Sequence, residues 1–270
     1  MARNRVELTK LEAVKPFTGI HGSVKQKVSE EEWRLRVDLA GLYRIIAHFH
    51  WDDLVFTHIS CRLPGNERHF LINPYGLLFN EVAASNLVRI DQEGYKVDDS
   101  PYPVNPAGFA IHSAIHRARA DAHCVLHLHT NDGMAVAAQA QGLLPITQNA
   151  MVMDADLAYH DFAGAGMHEN EGLNIARDLG SKHTMILRNH GTLCVGATCA
   201  DAFMRAYTLE RACSVQIRAL AGGALPCYAP ADMAQKMAAQ ILPSFAGALG
   251  KLVWPAILRK LDRLDPTYRE

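Results

Sequence analysis

Two histidines separated by one leucine, His127-Leu128-His129, are the residues in this chain best spaced to act together. They close an apolar run from Cys124 that reads as a short strand. Side chains two apart on a strand leave the same face, so both imidazoles would project together from its end. A third imidazole, His190, lies in the turn Asn189-His190-Gly191, just after the apolar strand Met185-Ile186-Leu187. Strand ends are where ligands bind in α/β sheets. Three neutral imidazoles with an open fourth position form a catalytic zinc-type donor set, with metal–nitrogen distances of about 2.0–2.1 Å. The same three residues would also suit two sheet-edge histidines bonded to backbone and a third capping a turn. Spacing alone leaves both readings open.

The elements that must position these groups follow from pattern. Ser29 followed by Glu32 forms a capping box that opens a helix running to about His48. Strand-like runs cover Leu54 to Leu63 and His69 to Ile72, parted by Pro64-Gly65-Asn66, and Asn73-Pro74-Tyr75-Gly76 is a turn. Asn105-Pro106 starts a helix whose apolar positions Ile111, Ala114, Ile115 and Ala118 keep a helical period. The HxH strand precedes an Ala-rich helix, Asp132 to Gln141, and residues 143–168 read as irregular. A helix from about Gly172 to Leu179 leads to the strand Thr184 to Leu187, and Leu193 to Val195 forms another. Thr198 and Asp201 cap a long helix that stops at Gly222-Gly223. This alternation, without repeats, predicts a three-layer α/β/α sandwich with a mixed central sheet. It divides into an arm over 1–28, a main domain over 29–225 and a C-terminal amphipathic extension over 226–270. The extension is expected to pack on the domain or on a neighbouring subunit.

Composition narrows the class of function. Among 270 residues, Lys and Arg total 27 against 28 Asp and Glu, for a net charge of −1. Nucleic acid or an anionic membrane calls for a basic excess, so neither is an expected partner. Hydrophobic residues at 49% with 20% charged exclude a disordered chain. No run is expected to reach the roughly 20 apolar residues of a membrane-spanning helix. The six cysteines are scattered, none as CxxC, which suggests reduced thiols in a cytoplasmic protein. Gly164-Ala165-Gly166 has neither the preceding strand nor the spacing of a nucleotide loop.

The runs HCVLHLHT (123–130), ILRNHGTLCVG (186–196) and AFMRAYTLERACSVQIRAL (202–220) resemble the class II aldolase/adducin family. INPYGLLFNEV (72–82) and AYHDF (158–162) bring the chain closer to the adducin head and its small bacterial relatives than to the sugar-phosphate aldolases. The resemblance spans roughly residues 30–222. It implies that His127, His129 and His190 hold a divalent metal, usually zinc, and that the protein assembles as a homotetramer. It also implies a lyase that stabilises an enediolate or carbanion of a small hydroxy-carbonyl substrate through that metal. The family's acid/base glutamate, in an SSEW-type block before the HxH strand, falls on Gly108, and its phosphate-binding serines fall on about Pro106 and Ala107. Those functions are missing here, which puts chemistry on a phosphorylated ketose in question.

Replacement acid/base groups are Tyr159 and His160, in the region from which the family's aldolases supply a tyrosine, and the mid-helix Glu210. Thr57, Asn73 and Gly76 are candidate substrate contacts by the same likeness. His112 shares a helix face with His116 and is expected to support the metal shell, while His116 is expected on the polar face. The alternative is a non-catalytic, adducin-head-like module for oligomerisation or protein binding. Actin binding would be only a weak carry-over, because no long tail with a lysine-rich end follows residue 222.

Overall fold

The computed structural model describes residues 24–164, 170–223, 225–230 and 232–270. The arm expected over 1–28 lies outside the described residues as far as position 23, as do Ala165 and Gly166 of the dismissed glycine loop.

Seven strands form one sheet: β1 (His58–Leu63), β2 (Asn66–Ile72), β3 (Val88–Asp91), β4 (Cys124–Leu128), β5 (Leu157–His160), β6 (Thr184–Leu187) and β7 (Gly191–Gly196). Their order is β3-β2-β1-β4-β7-β6-β5. Among the described strands only β5 and β6 run parallel, so the sheet is mixed, as the alternation predicts. The helices are α1 (Glu30–His48), α2 (Pro106–Ala118), α3 (Asn131–Ala137), α4 (Gln148–Asp154), α5 (Glu171–Leu179), α6 (Cys199–Leu220), α7 (Met233–Ser244) and α8 (Gly250–Leu264).

Side-chain parity divides the sheet into two unlike faces. Ile59 and Cys61 of β1, Cys124, Leu126 and Leu128 of β4, and Cys194 of β7 enter the main core with α1, α3, α4 and α6. Val125 of β4, Met185 and Leu187 of β6, and Leu193 and Val195 of β7 pack instead against α2 and α5. That gives the expected α/β/α sandwich. Registers set His58 opposite His127 and Cys61 opposite Cys124. Helix starts are fixed by side-chain caps. Ser29 Oγ accepts from Glu32 N–H at 3.1 Å, and Thr198 Oγ1 accepts from Asp201 N–H at 3.1 Å. Asn105 Oδ1 accepts from the N–H groups of Ala107 and Gly108 at 3.0 and 3.3 Å.

Several boundaries differ from the sequence reading. The first strand begins at His58 rather than Leu54, which holds the left-handed φ of 49°. The stretch 143–168 contains α4 and β5. Both are short, and their apolar runs carry too few turns or alternations to declare a period. The Ala-rich helix ends at Ala137 rather than Gln141.

The C-terminal extension packs on its own domain. Phe245, Trp254, Leu261 and Tyr268 join the main core. Tyr268 and Glu270 carbonyls accept from Ala84 and Ser85 N–H at 3.0 and 2.8 Å. Against expectation, Met233–Leu264 is long and apolar enough to cross a bilayer by length and composition alone. It is not one straight helix, since Gly247 leaves helical geometry (φ −99°, ψ −118°).

Candidate metal centre and its histidine support

β4 carries His127 on the face toward α2, and His129 follows directly where the strand ends. His127 Nδ1–H donates to the Thr192 carbonyl at 3.0 Å. His129 Nδ1–H donates to Asp53 Oδ2 at 2.9 Å. With both Nδ1 positions protonated, each ring turns an Nε2 lone pair inward, and the two Nε2 atoms are 2.9 Å apart. Facing lone pairs repel unless a cation or proton lies between them. The donor set therefore fits a metal ion on this chain's own geometry.

His190 completes the group. Asn189, at φ 57°, makes the left-handed step that carries the chain from β6 to β7. Gly191 is needed next, because a Cβ there would stand 2.4 Å from the Leu128 carbonyl. The His190 ring lies 4.8 and 4.9 Å from the His127 and His129 rings, centre to centre. One nitrogen from each of the three falls within 4.8 Å of the other two. Burial, and next the neighbouring imidazoles, hold His127 well below its ordinary pKa. Burial followed by His129 brings His190 down to about 4. Neutral rings at neutral pH are the form that binds a metal.

Behind this trio runs a buried polar chain that sequence reasoning missed. His116 Nδ1–H donates to the Ala122 carbonyl at 2.9 Å, which fixes the polarity of everything beyond it. Ser60 Oγ–H then donates to His116 Nε2 at 2.7 Å. His112 Nδ1–H donates to Ser60 Oγ at 2.5 Å. His58 Nδ1–H donates to His112 Nε2 at 2.7 Å. The His58 ring ends the chain 5.1 Å from the His127 ring. His112 thus meets the trio only by way of His58, whereas His116 is 2% exposed and not on a polar face. The signal was the period-two alternation His58, Ser60, Arg62, which puts all three on one face of β1.

Gly108 belongs to the same arrangement. A Cβ at Gly108 would stand 2.7–2.8 Å from His58 ring atoms. The imidazole of His58 occupies the space into which a side chain at 108 would grow.

The other predicted groups separate. His160 is buried, with Nδ1 2.7 Å from Asp178 and Nε2 3.0 Å from Glu171. It lines a narrow cleft with Ile111, Phe162, Glu171, Arg188 and His190. Glu171, the first residue of α5 and 5% exposed, had no signal in local sequence. Tyr159, next to His160 on β5, takes the opposite face. Its hydroxyl accepts from Leu143 N–H at 3.1 Å, and the Arg188 guanidinium lies over its ring. Glu210 accepts from Thr130 Oγ1 at 2.5 Å beside the start of α3. Burial pushes its carboxyl up to about 7. Neither Tyr159 nor Glu210 lines the cleft beside His190. Asn73 Oδ1 accepts from the Tyr43 hydroxyl at 2.9 Å, and Gly76 holds the turn at φ 99°. Thr57 Oγ1 is buried with no hydrogen-bond partner among the described residues.

Comparisons with known proteins agree with this architecture. The family model described as Class II Aldolase and Adducin N-terminal domain matches residues 37–217. A Caulobacter vibrioides protein, provisionally described as aldolase class 2, is 51% identical over 248 residues, covering 92% of this chain and 96% of that protein. An aldolase II superfamily protein from Pseudomonas syringae has a solved structure with a TM-score of 0.89 at 43% identity, covering 92% of this chain and 100% of its own. The L-fuculose 1-phosphate aldolase of Glaciozyma antarctica gives a TM-score of 0.79 at 29% identity, covering 93% of this chain and 96% of its own.

Proposed function

The chain belongs to the class II aldolase and adducin family, and from that premise we propose that it is a divalent-metal dependent lyase acting on a small, unphosphorylated hydroxy-carbonyl compound. The observation that carries this reading is the 2.9 Å approach of two inward-facing Nε2 atoms, with His190 beside them. His127, His129 and His190 would hold the ion, zinc in our reading. When bound, such an ion supplies a Lewis acid that withdraws charge from a carbonyl oxygen.

The chain's own residues do the rest. Thr192 and Asp53 orient the imidazoles from behind, as partners of metal-binding histidines commonly do. Glu171 and His160, paired in the cleft beside His190, are the groups placed to hold or move a proton there. Asp178 fixes the far side of that imidazole. Phe162, edge-on to His190, shields the cleft mouth.

The start of α2 offers no cradle for a substrate phosphate. A helix N-terminus binds anions through its free N–H groups. Here Asn105 already takes those of Ala107 and Gly108, and Pro106 has none. No hydroxyl stands at 106 or 107 to assist. A cytoplasmic homotetramer is the assembly we propose.

Metal analysis of protein purified without added metal tests the first step. One divalent ion per chain is expected, and His127→Ala should remove it. Stoichiometric metal unchanged by that substitution would end the proposed coordination. A panel of hydroxy acids and sugar aldehydes, phosphorylated and not, assayed with and without chelator, tests the second. Chelator-sensitive cleavage of unphosphorylated members is expected. No turnover across the panel would favour an assembly module instead.

A further inference from the structure

On the opposite face of β4 from the histidines lies a second cluster of donors. Register sets Cys61 of β1 beside Cys124 of β4. Cys199, the first residue of the 22-residue helix α6, comes down onto both. The three sulfur atoms lie within 4.8 Å of one another, and Cys61 and Cys199 approach to 3.4 Å. All three side chains are buried, at 3% exposure or less. The junction is held from several sides. Thr198 caps α6, and Ala197 N–H donates to Asp201 Oδ2 at 3.0 Å.

We propose that Cys61, Cys124 and Cys199 form a second metal site, one that takes a soft monovalent ion of the Cu+ type. Thiolate–metal bonds near 2.3 Å, as for zinc, put sulfurs around a common ion roughly 3.7–4.0 Å apart. The observed triangle needs shifts of under about 1 Å to close on one. Soft thiolates select Cu+ among the first-row ions, while a structural zinc asks for four ligands. No fourth histidine, cysteine or carboxylate joins the group among the described residues. Burial leaves no route for water to complete a tetrahedron. Three sulfurs and nothing more suit a three-coordinate ion.

Charge follows the same logic. The N-terminal end of α6 sets a partial positive charge beside the three sulfurs, which suits a centre that is net negative once an ion is bound. Loading then replaces protons without moving electrons. Cu+ binds two thiolates and one thiol sulfur, two protons leave relative to three thiols, and the centre keeps one negative charge at the α6 terminus.

The test is anaerobic titration of the reduced full-length chain with Cu+ against a chromophoric Cu+ chelator. One equivalent captured per chain, with thiolate-to-copper absorption in the near ultraviolet, is expected. Capture should survive His127→Ala and Cys227→Ser, the latter removing the exposed thiol. It should be lost in Cys199→Ala and in Cys61→Ala, each checked by circular dichroism to be folded. Two substitutions on different elements guard against one failing to fold. Capture that follows Cys227 or the histidine trio, or that persists in a folded Cys199→Ala, overturns the proposal. So does absence of capture, or displacement of the bound Cu+ by equimolar Zn2+.

Discussion

At the scale of single residues, Gly108 and His58 are a matched pair. Position 108 has no side chain, and an imidazole from the neighbouring strand fills the space beside it. Two effects compete in Gly108→Ala. Alanine's helix preference would stabilise by up to about 1 kcal/mol. A methyl forced against the His58 ring costs about 1–3 kcal/mol, because His58 is pinned by His112 and cannot swing away. Crowding should win, and urea unfolding should show the variant less stable than the parent. In a His58→Ala background the same substitution should be neutral or stabilising. A stabilised Gly108→Ala in the parent background would show that the two residues do not compete for space. The glycine at 108 was legible in the sequence but the His58 ring beside it was not, because a glycine gives no sign of which neighbour fills the space next to it.

Among the elements, α2 shows how one cap serves both fold and selectivity. Asn105→Ala removes the acceptor for two N–H groups and should lower stability by about 1 kcal/mol, read from the urea midpoint. The freed amides should also let inorganic phosphate stabilise the variant more than the parent in thermal melts. Equal phosphate effects on both would remove the argument for an unphosphorylated substrate. The start of this helix was legible from Asn105-Pro106, as α6 was from Thr198 and Asp201, since caps and proline act locally. The HxH pair was equally legible, because strand parity is local. Less could be read of α4, β3 and β5, whose lengths are set by packing against partners distant in sequence. Glu171 and His160 were unreadable as a pair for the same reason: eleven positions separate them, and only the docking of α5 on β5 makes them neighbours.

For the molecule as a whole, Glu210 ties stability to pH. Its carboxyl, pushed up to about 7 by burial, keeps its proton in the folded state after the unfolded chain has released it near 4.5. At that carboxyl the folded state then binds more protons than the unfolded one, so the Glu210 contribution to stability falls as pH rises from about 4.5 to 7, by roughly 3 kcal/mol, opposing the rise that the buried neutral histidines give over part of the same range. Glu210→Gln should abolish that decline. The variant should match the parent at pH 4.5 and exceed it at pH 8, in urea titrations at both values. Equal stabilities at pH 8 would mean the carboxyl ionises freely in place. The sheet that organises all of this presents His127 on one face of β4 and Cys124 and Leu126 on the other. Sliding β4 by a single position against β1 and β7 would bury imidazole in oil and turn sulfur toward the ring cluster. Chemical contrast between its two sides therefore proofreads strand pairing during folding, and a misaligned chain would be penalised at both donor clusters at once.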